Sequence, residues 1–135
     1  MLSPAVAMVG LTFLVWVRLY HLRLREMARK RIDAQALAGS ADVARLLADT
    51  RASDNFRNLF EVPVLFYAGV LLAAQAGFDD PALLALAWAF VGLRAVHSAV
   101  QCTINHVKTR FVAYALATLV LLVFWARVAW LLGLA

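Results

Sequence analysis

Residues 111–135 read FVAYALATLVLLVFWARVAWLLGLA, with Arg127 as the only charge. The run is apolar throughout and does not alternate, so it does not read as a strand with one wet face. It is also about twice the length of a membrane-barrel strand. At ~1.5 Å per residue a helix of this length crosses the ~30 Å hydrocarbon core of a bilayer. Working outward, three more such runs appear. One covers 2–20 and is broken by Pro4, Thr12 and Arg18. One covers 59–78 and holds Glu61, Pro63 and Gln75. One covers 81–104 and holds Arg94, His97 and Gln101. These runs predict an all-α, integral membrane four-helix bundle forming one domain over 1–135. The helices are expected at about 2–27, 55–77, 81–104 and 109–134, with a long loop at about 28–53.

Composition agrees. Of 135 residues, 64% are hydrophobic, and the mean hydropathy is +0.80. Soluble domains run nearer ~45–50% apolar. A chain this short cannot bury so much apolar surface against itself, so lipid or partner subunits must cover the rest. The single cysteine, Cys102, excludes an intramolecular disulfide. The net charge of +5 raises nucleic acid as a partner, but the charges gather at the ends of the apolar runs. Membrane topology explains them better, and no nucleic-acid partner is expected.

The connections mark the same divisions. Gly77 suits a helix C-cap, Asp80 an N-cap, and Pro81 a first helical position. Residues 105–109 make the other short link. Within the long loop, Val43, Leu46 and Leu47 outline a short amphipathic helix at the cytoplasm or the interface. The first loop and its flanks carry Arg18, Arg23, Arg25, Arg29, Lys30, Arg31, Arg45 and Arg51, and the third carries His106, Lys108 and Arg110. The second carries Asp79 and Asp80. The positive side faces the cytoplasm, so the termini are expected on the other side, in a multi-pass protein of a bacterial inner membrane. The first helix lacks a positive n-region and is followed by its charges, so it reads as a retained reversed anchor rather than a signal peptide.

Ionisable groups inside a bilayer are costly, and they face a bundle interior or a cavity. Arg57, Asn58 and Glu61 lie at i, i+1 and i+4, which puts Arg57 and Glu61 on one helix face. Arg94, His97 and Gln101 follow i, i+3, i+7, a single stripe. Arg110 and Tyr114 are one turn apart, and Arg23 and Arg25 end the first helix on the same side. These groups from four helices converge in the cytoplasmic half. Arginines outnumber carboxylates there, which suits an anionic ligand held by forked guanidinium contacts. Glu61 is left to meet an amine or a buried arginine. The surrounding membrane suggests an apolar second substrate.

Plainer readings exist for each residue. Arg57 with Glu61 is also an ordinary i,i+4 pair, and Arg94 with Glu61 a structural buried ion pair. His97 is also a residue that hydrogen-bonds to a neighbouring helix, and Arg110 and Lys108 are also positive-inside anchors. Tyr114 fits an interfacial aromatic, as do Trp16, Trp125 and Trp130. Cys102 fits a small buried apolar residue, and Pro63 a bend that frees the Leu59 carbonyl. They do not account for the gathering of so many polar groups at one depth.

The strings Arg57-Asn58-Leu59-Phe60-Glu61-Val62-Pro63, Gly92-Leu93-Arg94-Ala95-Val96-His97 and Arg110-Phe111-Val112-Ala113-Tyr114, with Arg23-Leu24-Arg25 closing the first helix, resemble the MAPEG family. These are the membrane-associated proteins in eicosanoid and glutathione metabolism, and the pattern is nearest to their microsomal glutathione transferase and prostaglandin E synthase branches. The resemblance covers almost the whole chain. It implies a homotrimer with glutathione as co-substrate, bound between neighbouring protomers near the cytoplasmic face. By position, Arg23, Arg57, Asn58, Glu61, Arg94, His97 and Tyr114 would bind glutathione, and Arg110 would be the catalytic residue that stabilises its thiolate. The partner substrate would be an apolar electrophile dissolved in the bilayer. Gln101 stands where the family pattern has a tyrosine, and Phe111 where the prostaglandin branch has a serine, which argues against prostaglandin synthesis. The family also holds a non-catalytic lipid-binding member. Three functions are therefore weighed: a glutathione-dependent transferase or peroxidase, a lipid- or partner-binding protein without catalysis, and an unrelated channel or transporter subunit. The nearly apolar outer half argues against the last. No metal cluster, P-loop or nucleotide fingerprint stands in the sequence.

Overall fold

The computed structural model describes residues 1–134. Six α-helices follow one another: α1 (Leu2–Lys30), α2 (Ser40–Leu46), α3 (Arg51–Asn58), α4 (Val62–Gln75), α5 (Pro81–Cys102) and α6 (Val107–Leu131), with a 3-10 turn at Ala34–Leu37 before α2. There is no strand among the described residues. Four segments are long and apolar enough to cross a membrane: Leu2–Lys30, Arg51–Gln75, Pro81–Cys102 and Val107–Leu131. Large apolar side chains such as Phe13, Leu14, Leu65, Leu122 and Val123 lie exposed on the outside. That is the surface of an integral, multi-pass membrane protein, whose solvent is hydrocarbon.

The stretch expected as one helix over 55–77 is built in two pieces. Pro63 has no N–H to give the Leu59 carbonyl, and its ring crowds that carbonyl. The chain therefore leaves helical geometry at 59–61, with Glu61 at φ −95° and ψ −102°, and restarts as α4 with proline in its first turn. Only α3 lies before the break, and it begins at Arg51.

The core is a stack of aromatic rings and small residues. Phe66 of α4 stacks on Phe90 of α5 with centroids 4.6 Å apart and leans on Phe124 of α6. Gly69 lets α4 and α6 approach: a Cβ there would lie 2.7 Å from Phe124 Cε1 and 3.2 Å from Trp125 Cε2. Small residues at helix crossings are the usual means of close packing where lipid supplies no hydrophobic drive. Trp125 Nε1 donates to the Leu65 carbonyl at 3.2 Å, adding a polar tie to the same crossing.

The two ends differ. At one end Gly77 takes φ 70°, and Phe78 N donates to Ala73 O at 3.0 Å, closing α4 with a Schellman turn. Asp80 caps α5 by accepting from Leu83 N at 2.8 Å. It also takes Arg127 Nη2 at 2.6 Å, tying the start of α5 to the last turns of α6. The Leu83 amide and the Arg127 guanidinium hold its carboxyl below the usual carboxylate range. The stabilisation is present above the unfolded value near ~3.9 and is lost as pH falls through the lower folded one. At the other, basic end the long loop is strapped to α1. Buried Glu26 accepts from Ala48 N at 2.9 Å and pairs with Lys30 at 2.6 Å, and Lys30 Nζ donates to Leu46 O at 2.9 Å.

Replacing Gly69 with alanine drives a methyl group into two rings, and the expected loss is about 1–3 kcal/mol. Gly92 of α5 has nothing within 4 Å of its would-be Cβ, so Gly92→Ala should be neutral or stabilising by up to about 1 kcal/mol. Unfolding both variants in mixed micelles checks the contrast, and equal effects would contradict this packing.

Candidate functional site

The break at Pro63 supplies the first element of the site. Asn58 ends α3, so its carbonyl has lost the helical partner it would have had four residues on. Arg94 of α5 meets it, with Nη2 donating to Asn58 O at 2.7 Å. α5 packs against α1, α3 and α6, which turns its polar stripe inward. Arg94 is 1% exposed, His97 3% and Gln101 2%. Buried polar groups ordinarily find partners, and Gln101 and His97 do. Arg94 does not: its Nε and Nη1 have no hydrogen-bond partner among the described residues. Its guanidinium carbon lies 5.5 Å from the Tyr114 ring centroid, a cation–π distance.

The rest of the cluster links three helices. His97 Nδ1 lies 2.9 Å from the Arg110 carbonyl. A carbonyl only accepts, so Nδ1 carries the hydrogen and donates. His97 Nε2 lies 2.8 Å from the Gln101 side-chain amide. Gln101 Oε1 also accepts from Asn58 Nδ2 at 3.2 Å. The His97 and Tyr114 rings sit 5.7 Å apart. Arg110 Nη1 donates to Asn105 Oδ1 at 2.7 Å. Asn105 takes φ 49°, a left-handed conformation that asparagine tolerates, and its own N–H closes the end of α5 on Val100 O. Beneath these, Asn55 of α3 accepts from Ser98 Oγ at 3.3 Å and donates to Cys102 Sγ at 3.4 Å, which pins α3 to α5.

Asn58, Arg94, His97, Arg110 and Tyr114 thus come together, with Gln101 and Asn105 as the bridging residues that sequence reading left out of the site. Spacing held a signal for Gln101, four residues after His97 on the same face. It held none for Asn105, whose partner lies across a turn. Glu61 stands apart from the cluster's hydrogen bonds. It is exposed. The i,i+4 pairing with Arg57 does not form, because the break at 59–61 removes the helix that would align them. The ion pairs among the described residues are Lys30–Glu26, Arg45–Asp42, Arg51–Asp49 and Arg127–Asp80, so the Arg94–Glu61 pair is not made either.

Arg23 and Arg57 lie elsewhere. They line a cleft of about 200 Å³ between α1 and α3, with Tyr20 and Phe56. Trp16 and Phe56 continue from it into an apolar groove of about 580 Å³ that runs between α1 and α4 to Leu71. No cluster of side chains suited to a metal ion occurs among the described residues.

Two unpartnered donors of Arg94 thus lie beside an imidazole and a phenol, and the apolar groove opens separately between α1 and α4. Among known protein families, the profile of the MAPEG family matches residues 1–130. No curated protein and no solved structure matches the chain.

Gln101→Leu leaves His97 Nε2 and the Asn58 amide unmatched in a buried site. The expected cost is about 1–3 kcal/mol, read as a lower unfolding midpoint in detergent. An unchanged midpoint would show that the α3–α5 link does not depend on this amide.

Proposed function

This chain belongs to the MAPEG family, and we propose that it is a membrane-bound, glutathione-dependent transferase or peroxidase that acts on apolar electrophiles. The observation that carries the reading is Arg94, a buried guanidinium with two unpartnered donors. Leaving a buried cation half-satisfied is costly, and a carboxylate arriving there removes the cost. Glutathione has two carboxylates, an amine and a thiol. Arg94, with Asn58 and His97 beside it, is suited to one carboxylate. Glu61 makes no ion pair among the described residues and is suited to the amine.

Arg110 is the residue proposed for the sulfur. Asn105 is a neutral partner, so Arg110 keeps its full charge and its remaining donors. A thiol with an ordinary pKa near ~8.5 is shifted toward thiolate by such a neighbour, and each unit of lowering corresponds to about 1.36 kcal/mol. In a transfer reaction the thiolate sulfur bonds to the electrophilic carbon and the leaving group departs with the electron pair. In a peroxidase reaction the sulfur takes the distal oxygen of a lipid peroxide, an alcohol leaves, and a second glutathione converts the sulfenic acid to disulfide and water. The apolar groove beside Trp16, Phe56 and Tyr67 is the proposed berth for either substrate.

Arg23 and Arg57 do not reach the cluster within their own protomer. A homotrimer would bring Arg23 of one protomer to the glutathione of the next, with the basic end toward the cytoplasm. A second reading, a lipid-binding protein without catalysis, is favoured by the same groove, whose walls are apolar almost throughout.

Calorimetry of glutathione with the detergent-purified protein separates the two. The transferase reading expects saturable binding and an ultraviolet thiolate band that the Arg110→Ala variant loses while still binding. Chlorodinitrobenzene should then be conjugated at a rate that falls at least tenfold in that variant. No binding at millimolar glutathione would leave the lipid-binding reading in its place.

A further inference from the structure

A polar cavity of about 670 Å³ lies at the basic end of the bundle and shares only Asn105 with the Arg94 cluster. Its walls are the last turns of α1, the loop residues 48–51 and Asn105 from the α5–α6 turn. Its charges are unequal. Glu26 is already satisfied by Lys30 and by the Ala48 and Asp49 amides. Asp49 is satisfied by Arg51, with Nη2 and Nε at 2.7 and 2.8 Å. Arg51 itself is anchored further by donating to the Thr103 carbonyl. Both carboxylates of the wall are therefore neutralised within the wall. Arg25 and Arg29 are not. They stand one turn apart on α1, line the cavity, and enter no ion pair among the described residues.

Two like charges at i,i+4 oppose each other and weaken the helix that carries them. An anion bound between them reverses the sign of that interaction. The wall is also fixed in advance, because Glu26 grips the backbone of the loop and Arg51 grips the far turn. Paired guanidinium forks over a preset polar wall match the oxygens of a phosphate group. The cavity is larger than a bare phosphate and has Leu22 in its wall, which leaves room for an attached glycerol or organic moiety.

We propose that this cavity binds a phosphate group through Arg25 and Arg29, carried either by an anionic phospholipid or by a soluble phosphate compound. The two sources share one chemistry and differ in whether the phosphate arrives from the bilayer or from water. The site meets the proposed glutathione site only at Asn105, and neither arginine belongs to the Arg94 cluster.

The test uses the full chain, delipidated in a mild neutral detergent. Short-chain phosphatidylglycerol, phosphatidylcholine and inorganic pyrophosphate are titrated separately, and binding is followed by intrinsic tryptophan fluorescence and by native mass spectrometry. The double variant R25Q/R29Q is compared with R45Q/K108Q, which removes the same charge from exposed positions outside the cavity. The expected result is saturable binding of at least one phosphate probe that weakens tenfold or more in R25Q/R29Q and less than twofold in R45Q/K108Q. Phosphatidylglycerol binding tenfold tighter than pyrophosphate assigns the lipid source, and the reverse assigns the soluble one. Equal losses in both double variants, tight binding of phosphatidylcholine that ignores the arginines, or no binding of any probe would overturn the site. Unchanged glutathione titration in R25Q/R29Q keeps this result distinct from the fate of the proposed transferase activity.

Discussion

A backbone carbonyl in a bilayer must find a donor inside the protein, and this fold is organised around the Asn58 carbonyl, left open where the helix breaks before Pro63. Pro63 has no N–H for the Leu59 carbonyl and crowds it, so the helix breaks at 59–61 and the Asn58 carbonyl at the end of α3 is left without its partner four residues on. The donor that answers is the Arg94 guanidinium, from the helix packed alongside. That contact draws a cation into the core and sets the height of α5 against α3. The hydrogen bonds that follow, from His97 to the Arg110 carbonyl and from Asn58 to Gln101, all assume that register.

The electrostatics follow from the same contact. A fully paired arginine would be a structural strut, and its partner would have to be a carboxylate at close range. Here the hydrogen-bond partner is a single neutral carbonyl, while Glu61, at the distorted backbone of 59–61, is exposed and makes no ion pair with the arginine. The charge is thus held in place by geometry and left uncompensated by the protein. That condition is unfavourable in isolation and useful for binding an anion. Glu26, Asp49, Asp42 and Asp80, by contrast, each have a cation beside them.

Much of this was legible in the sequence. The four apolar runs give the spans, since lipid leaves little choice but helix. Gly77, Asp80 and Pro81 carry their turn chemistry in the residues themselves. The stripe Arg94, His97, Gln101 reads directly from the helical period and is buried on one face of α5. What failed to read was anything that depends on a neighbour across space. Arg57 and Glu61 look aligned only if the helix is continuous, and the strength of the break at Pro63 is decided by the donor waiting on α5. Gln101 looked like a departure from a pattern rather than a bridge between two helices. Glu26 sits among basic residues with no spacing that marks it, yet it is the acceptor that holds the loop. Asn105 and Arg110 meet across a turn whose left-handed residue no periodicity announces.

The central claim is that the free Nε and Nη1 donors of Arg94 are the seat of an anion. The most direct measurement is the ¹⁵N–¹H resonance of the Arg94 side chain in arginine-labelled protein, assigned with an Arg94→Lys variant and followed through a glutathione titration. The account predicts that the Nε resonance moves on saturation, with the shape and midpoint of the binding curve, as a new charge-assisted hydrogen bond forms. A resonance that stays still while glutathione saturates would put the anion elsewhere and leave Arg94 a structural residue.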